Sequence, residues 1–366
     1  MRQIEKIMNF PRLSRRNLLG SGFLGSLLGL TATHASTALA AGETHSGTMH
    51  DKHAIGAMMT VGEVDHARNG FDPHAMLTDW DRGTTSVSAD GRVTREFEVT
   101  AEDKEIEIAP GIFFPAWTYN GRVPGPTLRA TEGERLRIVF RNHGSMPHTM
   151  HFHGIHGASM DGVAGAGEIP PGEEFVYEFD ARPFGCHLYH CHSIPLKRHL
   201  HKGLYGAFIV DPDPERHPEA GDVASSRLLG TAENAAWQEM VMVMNGFDTN
   251  FDEENEVYAV NTVAHAYAKK PIVVDRNRPI RIYLVNITEF DPINSFHIHG
   301  NFFDYFDHGT TLAPTSRIID TVMMCQAQRG IIEMSFKDFE PGIYMFHAHQ
   351  AEFAELGWMS HFEVRA

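Results

Sequence analysis

Short runs of alternating apolar and polar residues dominate the chain from about Arg95 onward. Glycine, proline and asparagine separate these runs, and no stretch shows a sustained helical period. Because successive side chains of a strand point to opposite faces, such alternation is typical of strands with one buried face. The pattern predicts an all-β fold built of Greek-key β-sandwiches. The clearest runs are residues 96–99, 135–140, 175–179 and 206–210.

The second half of the chain repeats the first. Three motifs recur in the same order, pairing residues 135–138, 148–154 and 188–192 with residues 279–282, 294–300 and 345–349. The stretch between the copies is rich in proline, serine and acidic residues, as linkers often are. We therefore predict two sandwich domains, at residues 96–213 and 236–366, joined by a linker at residues 214–235.

Residues 1–40 predict an export signal. The paired Arg15 and Arg16 precede an apolar, glycine-broken stretch that runs to about Leu30, and residues 38–40 supply small side chains for cleavage. The paired arginines are typical of the twin-arginine type, which predicts a periplasmic or secreted protein. The apolar run is shorter than the ~20 residues that a membrane span needs. We expect no span in the mature chain.

The net charge of the chain indicates which classes of binding partner it disfavours. The chain carries 47 acidic and 31 basic residues, a net charge of −16. The signal contains five basic residues and one acidic residue, so its removal takes the formal charge to −20. A surface this acidic disfavours nucleic acid and anionic lipid and tolerates cationic partners. We expect no nucleic-acid partner.

Histidine is the residue type that ordinary composition does not explain. The chain has 24 histidines, and five His-x-His pairs occur among them. Several more, together with methionines, lie in residues 41–95, the segment that follows the signal. That segment either recruits copper, which thioethers and imidazoles suit, or serves as a leader without a role.

Strand periodicity sorts the histidines into two sites. In the His-Cys-His run at residues 190–192 the thiol points one way and both imidazoles the other. The earlier motif divides in the same way, because His151 and His153 share a face and His148 lies at an odd offset from both. We therefore predict one site containing His148 and Cys191, and a second site formed by His-x-His pairs.

The first site has the composition of an electron-transfer copper centre. One thiolate with two imidazoles is the ligand set of a blue copper. The second imidazole is expected beyond Cys191, where His199 is the candidate and His201 is its rival. Leu204 stands where a weak axial ligand would lie. Because leucine has no donor atom, the missing ligand would favour Cu(I) and a higher reduction potential.

The second site would contain eight imidazoles. Such a set, without thiolate or carboxylate, suits copper better than magnesium, calcium or an iron–sulfur cluster. A lone His-x-His pair is usually an ordinary surface or core feature, but matching positions in both repeats indicate a metal cluster. The four pairs are His151 with His153, His190 with His192, His297 with His299, and His347 with His349.

These motifs resemble those of the multicopper oxidases, over about residues 96–366. The resemblance rests on His-x-x-His-x-His-Gly and on His-Cys-His followed by His-x-x-x-Gly-Leu. It implies two cupredoxin-like domains and about four copper ions per chain. A type 1 copper is implied at His148, Cys191 and His199, near Leu204. A type 2 copper is implied at His151 and His297, and a binuclear type 3 site at His153, His190, His192, His299, His347 and His349. Cys191, flanked by two type 3 ligands, would carry electrons between the sites.

Three departures from the family pattern lie in the second domain. Asn294, Ala348 and Phe353 stand where a second type 1 site would have its ligands. The resemblance is therefore to the laccase-like two-domain members in which only the first domain is blue. In such relatives a neighbouring chain completes each cluster. This implies a ring-shaped homotrimer with trinuclear clusters at its subunit interfaces.

Copper-containing nitrite reductase is the alternative within the same architecture. It would carry aspartate at position 151 and no histidine at position 192, which leaves a type 2 site with three histidines. The histidines at both positions favour a trinuclear cluster that reduces dioxygen. A copper-binding or resistance protein without turnover is a further alternative, but it does not explain why one thiolate site is separate from eight histidines.

The implied reaction couples four one-electron oxidations to the reduction of dioxygen to water. The donor stays open among phenol-like compounds, metal ions and redox proteins. Protons require an acid, for which Asp161 is the first candidate, although it also suits a turn before a glycine. Glu289 and Asp291 are weaker alternatives.

The remaining cysteines leave a further choice open. Three cysteines cannot form a disulfide framework, so at least one thiol is free. Cys186 and Cys325 either pair in an oxidising compartment or are small buried apolar residues.

Overall fold

The structure is a computed structural model, and it describes residues 63–217 and 237–366. The expected signal, the segment before residue 63 and most of the expected linker lie outside the described residues. Within the described ranges, strands dominate and the α-helices are at most six residues long. None of these helices is long and apolar enough to cross a membrane.

The first half of the described chain forms two facing sheets. One has the strand order β1-β5-β10-β9-β7, and the other has the order β2-β3-β6-β8 with β4 paired to β3. Short helices lie at the start of this half of the chain and just before its last strand. In chain order, the elements are α1 (His66–Asn69), α2 (Pro73–Met76), β1 (Trp80–Asp81), β2 (Thr84–Val87), β3 (Val93–Ala109), β4 (Ile112–Tyr119), β5 (Thr127–Thr131), β6 (Arg135–Asn142), β7 (His151–Phe152), a 3₁₀ turn (Ala158–Met160), β8 (Glu174–Asp180), β9 (Gly185–His190), α3 (Leu196–His201) and β10 (Tyr205–Asp211).

The second half forms two more sheets. Their strand orders are β12-β11-β14-β19-β16-β17 and β13-β21-β20-β15-β18. The elements are β11 (Gln238–Phe247), β12 (Val257–Val260), α4 (Ala266–Lys269), β13 (Ile272–Asp275), β14 (Ile280–Asn286), β15 (Ile293–Ile298), β16 (Phe303–Asp307), β17 (Ser316–Ile319), β18 (Thr321–Cys325), β19 (Arg329–Met334), β20 (Gly342–His347), α5 (Ala351–Glu355) and β21 (Met359–Arg365).

The internal repeat is visible in the sheets. β9 lies between β10 and β7, and β20 lies between β21 and β15, so each repeat places its second histidine motif at an interior strand of a five-stranded sheet. His151 pairs with His190 across the first of these sheets, and His297 pairs with His347 across the second. The expectation of an all-β fold with two cupredoxin-like β-sandwiches is confirmed.

Strands also occur upstream of Arg95. β1 runs parallel to β5, β2 pairs with β3, and β3 itself begins at Val93. β1 has only two residues and β2 is exposed throughout, so neither carries an alternating pattern that the sequence could reveal.

Three apolar clusters hold the sandwiches together. One fills the first sandwich, around Leu136 and Tyr189, and one fills the second, around Leu284 and Trp358. The third cluster lies between the sandwiches and joins side chains of both halves, such as Leu188, Ile209, Val241 and Ile331. Burial of this shared apolar surface favours one fixed arrangement of the two sandwiches.

Candidate copper centres

Three buried ligand side chains converge in the first sandwich. The Sγ atom of Cys191 lies 3.2 Å from Nδ1 of His199 and 3.9 Å from Nδ1 of His148. The two Nδ1 atoms are 3.2 Å apart. All three side chains are buried, and their ligand atoms fall within the spacing that one metal ion requires. The structure therefore brings together the three residues predicted for the mononuclear site.

Elements distant in sequence position this thiol. Cys191 follows the end of β9, and its backbone N–H donates to the carbonyl of Leu204 at 2.9 Å. Leu204 is fully buried. The backbone N–H of Thr149, next to His148, points at the thiol sulfur at 3.4 Å. A hydrogen bond to a metal-coordinating sulfur changes the reduction potential of the bound metal.

The structure separates His199 from His201. Both lie in α3 and both are buried, but only His199 faces the thiol. Nε2 of His201 instead accepts a hydrogen bond from the backbone N–H of Asp248 at 3.0 Å, and its ring packs against Phe114 and Phe290. His201 therefore connects the first sandwich to the second.

Burial sets the protonation of this site. Desolvation lowers the pKa of His148 to about 4, helped by the neighbouring His199, and lowers the pKa of His199 to about 4. It raises the pKa of the Cys191 thiol. Neutral imidazoles are ready to bind a metal ion, whereas the buried thiol needs a cation to favour its ionised form.

Four histidines of the first sandwich form one half-site. Nε2 of His153 and Nε2 of His190 lie 3.1 Å apart, and the ring of His151 packs within 5.4 Å of His153, His190 and His192. Backbone carbonyls face the Nδ1 atoms of two of these rings. The carbonyl of Asp161 lies 2.6 Å from His151, and that of Cys191 lies 2.9 Å from His190. This orientation leaves Nε2 free to bind a metal ion.

The second sandwich repeats this arrangement. Nε2 of His299 and Nε2 of His347 lie 2.9 Å apart, with His297 and His349 beside them. The carbonyl of Asp320 faces Nδ1 of His297 at 2.9 Å, and the carbonyl of Ala348 faces Nδ1 of His347 at 2.6 Å. His299 and His349 are exposed, so this half-site is open to the surface.

The two half-sites do not meet within one chain. Among the described residues, no ring contact and no group of clustered ligand atoms combines a histidine of the first half-site with one of the second. The structure thus brings the eight histidines together in two sets of four.

Asp161 lies beside the first half-site. Its Oδ1 atom is 3.3 Å from Nδ1 of His151 and 3.9 Å from Nε2 of His156. The weaker candidates have other partners. Glu289 accepts a hydrogen bond from Gln326, and Asp291 accepts one from the Tyr258 hydroxyl at 2.7 Å.

Sequence reasoning missed two residues of these half-sites. Arg329, from the second sandwich, places its Nη1 atom 3.3 Å from Nδ1 of His153. Asp320 lies against His297 as Asp161 lies against His151. Neither residue belongs to a histidine motif, and the two aspartates differ in their spacing from the motifs, so no sequence signal identifies them.

In the second sandwich, Asn294, Ala348 and Phe353 occupy the positions where a type 1 site would have its ligands. The Asn294 amide donates to the Thr288 hydroxyl at 2.9 Å, and Ala348 is buried. Phe353 stacks on Tyr258 with ring centroids 4.0 Å apart. The polar group is satisfied by hydrogen bonding, and the two apolar residues are packed.

The remaining cysteines do not pair with each other. Cys186 is buried and Cys325 is exposed, and no disulfide joins them. Of the two alternatives left by the sequence, burial as a small apolar residue fits Cys186 only.

Comparison with known proteins defines the class. Two family models, each described as multicopper oxidase, match residues 100–215 and 236–366. The chain therefore belongs to the multicopper oxidase family, whose members are copper-dependent oxidoreductases. The residues present fit that metal, since one buried thiolate site and two sets of imidazoles are copper ligands.

Particular relatives include oxidases and nitrite reductases. A solved structure described as a multicopper oxidase is 51% identical, with a TM-score of 0.75, and the match covers 83% of this chain and 100% of that one. A copper-containing nitrite reductase of Neisseria meningitidis is 27% identical over 68% of this chain and 63% of its own length. A probable nitrite reductase–hydroxylamine oxidoreductase fusion protein of Kuenenia stuttgartiensis is 27% identical over 75% of this chain and 32% of its own length. The chain thus spans less than two thirds of these two curated relatives.

Proposed function

We propose that this protein is a laccase-like oxidase that couples one-electron oxidation of a reductant to the four-electron reduction of dioxygen to water. A type 1 copper would be held by His148, Cys191 and His199, and a type 2 copper by His151 and His297. A binuclear type 3 site would be held by His153, His190, His192, His299, His347 and His349. When bound, these metals supply the electron transfer and the activation of dioxygen.

The observation that carries this proposal is the pair of matching four-histidine half-sites. A nitrite-reducing site of three histidines would use neither His151 nor His192, yet both rings pack into the first half-site. A storage protein would need no path between separate sites. Here Cys191 belongs to the mononuclear site, and its carbonyl lies 2.9 Å from Nδ1 of His190 in the half-site. This direct connection suits electron transfer between two centres.

The outer face of the second sandwich supports a trimer. Cross-strand pairs place Ile293, Met323, Ile343 and Val273 on the same face of the sheet as His297. These four apolar side chains are between 38% and 65% exposed. An apolar surface around an open half-site is typical of an interface between proteins. In our proposal a second copy of the chain covers it and contributes its own first half-site, which closes a ring of three subunits.

Residues of this chain prepare the cluster for proton-coupled chemistry. Asp161 is the proposed proton donor, because its carboxylate contacts the His151 and His156 rings beside the half-site. Burial lowers the pKa of His153 to about 2 and that of His190 to about 4, which keeps both rings neutral for metal binding. We also propose twin-arginine export to the periplasm or outside the cell, on the basis of the signal at residues 1–40.

The test uses purified, copper-loaded protein. We expect about four copper ions per chain, an intense blue band, and consumption of dioxygen with a phenolic dye or Cu(I) without release of peroxide. About two copper ions per chain with consumption of nitrite would assign the protein to the nitrite reductases. Copper bound without turnover of either substrate would support a storage function.

A further inference from the structure

The ligands of the proposed type 1 site do not reach the surface. His148 is 0% exposed and His199 is 1% exposed, so a donor in solution cannot touch either imidazole. Trp117, at the end of β4, packs against both rings, with centroid distances of 5.2 Å to His148 and 4.8 Å to His199. Its backbone N–H donates to the carbonyl of Lys202 at 2.8 Å, which fixes the strand beside α3.

The same tryptophan lines a surface pocket. The pocket has a volume of about 280 Å³, and Trp117 shares its lining with Pro115 and with the side chains of Asp103, Glu105 and Lys202. An indole with a polar rim is a suitable surface for one aromatic ring. Trp117 therefore lies between this surface pocket and both imidazoles.

One carboxylate on the rim, that of Asp103, accepts only a weak hydrogen bond. The Glu105 carboxylate binds Arg68 at 2.7 Å, whereas the Lys104 ammonium donates to the backbone carbonyls of Asn69 and Gly121. Among the described residues, the hydrogen bond to the Asp103 carboxylate is a long one, from the Ser145 N–H at 3.5 Å. Asp103 is exposed, so it is free to accept a proton from a ligand and to release it to water.

Two cations lie over the indole. The Arg198 guanidinium is 5.6 Å from the Trp117 ring centroid, and the Lys202 ammonium is 5.7 Å away. Such cation–π contacts hold the ring in place, and their positive charge disfavours a radical cation on the indole. An electron would cross this ring without residing on it.

We propose that Trp117 is the electron relay into this protein, and that the pocket it lines binds a small, single-ring aromatic donor with an O–H or N–H group. This inference rests on the proposed function. In each oxidation the donor loses one electron and one proton and leaves as a neutral radical. The electron passes through the indole to the type 1 site, and the proton moves to Asp103.

The first test separates the relay from structural support. Trp117→Leu removes the π system, Trp117→Phe keeps a ring, and Trp80→Phe, in another pocket, is the control. Reduction of the blue band by guaiacol is followed without oxygen, and the midpoint potential is measured for each variant. We expect reduction at least about tenfold slower in Trp117→Leu, an intermediate rate in Trp117→Phe, and unchanged potentials.

Two results would overturn the inference. One is an unchanged rate in Trp117→Leu, and the other is a slower rate that the change in potential fully accounts for, which would make Trp117 a packing residue. Either result in a protein whose wild type is blue leaves the proposed function intact. A copper-loaded wild type without a blue band would instead contradict the proposed function itself.

The second test locates the donor without copper. Binding of guaiacol to the copper-free protein is measured by saturation-transfer NMR in Asp103→Asn and in the matched control Glu105→Gln, whose carboxylate is already paired. We expect the guaiacol Kd to rise about tenfold in Asp103→Asn and to change little in the control. Ferrocyanide, which has no proton to give and is an anion, should reduce Asp103→Asn at least as fast as wild type. Equal binding by both variants would place the donor outside this pocket.

Discussion

At the scale of the residue, burial keeps the proposed metal-binding imidazoles neutral. The pKa of His148, His190 and His199 is lowered from 6.5 to about 4, and that of His153 to about 2, with desolvation as the largest cause in each case. The unfolded chain therefore binds more protons than the folded chain between pH 6.5 and about 4. This contribution to stability is fully present above pH 6.5 and is lost as the pH falls.

The first prediction follows from this loss of stability at low pH. The melting temperature of the copper-free protein should fall steadily as the pH decreases from about 6.5 to about 4, measured by scanning calorimetry. Replacing His153, which has the largest shift, with glutamine should flatten the decline. A melting temperature that is constant across this window would contradict the account.

The second prediction distinguishes His199 from His201. His199→Leu should abolish the blue band of the copper-loaded protein, because the thiolate site loses an imidazole. His201→Leu should keep the band but lower the free energy of unfolding by about 1–3 kcal/mol, since the buried N–H of Asp248 loses its acceptor. Visible spectra and denaturant titrations of both variants make the comparison. Loss of the band in His201→Leu alone would reverse the assignment.

At the scale of the element, a buried ion network joins the sandwiches. Glu239 in β11 accepts hydrogen bonds from Arg129 in β5 at 2.9 Å and from Arg281 in β14 at 3.1 Å. The Tyr283 hydroxyl donates to the same carboxylate at 2.8 Å. Both arginine side chains are 1% exposed, so their charges depend on this carboxylate and its acidic neighbours.

The third prediction concerns this network. Glu239→Gln should lower the free energy of unfolding by about 1–3 kcal/mol, because both buried guanidinium groups lose a charged acceptor and keep only Asp211 and Glu333 as partners. Arg317→Ala is the control, since Arg317 and Asp304 form an exposed pair that should contribute at most about 1 kcal/mol. Urea titration of both variants gives the two values. Similar losses in both would mean that the network adds little to the joining of the strands.

At the scale of the whole molecule, one chain holds its two sets of four histidines apart. The second half-site is open, and apolar side chains share its face. Assembly of chains is the arrangement that would combine the two halves without refolding either. Metal content should therefore depend on oligomeric state.

The fourth prediction tests that dependence. Met323→Asp places a charge in the apolar face and should give monomers that keep the blue band but retain about one copper ion per chain. Val87→Asp is the control, because Val87 is equally exposed but lies in β2 of the first sandwich. Light scattering and copper analysis measure both properties. Monomers of Met323→Asp with a full copper content would contradict an interface cluster.

The repeat, the sandwich fold and the grouping of the histidines follow from the sequence alone. These are local properties, because a strand's period of two assigns Cys191 and its neighbouring histidines to opposite faces whatever surrounds them. The thiol and the imidazoles belong to separate sites in the structure as well, although β7 contains only two residues and β9 ends at His190.

Tertiary structure decided what depends on contacts between distant segments. His199 and His201 lie two positions apart in a helix, about 200° around its axis, so they face different partners, and the sequence alone did not assign that helix. Arg329 approaches His153 from 176 positions away, and Trp117 meets His199 only because β4 packs beside α3. The separation of the two half-sites has the same origin, since the packing of one sandwich on the other fixes where each set of histidines faces.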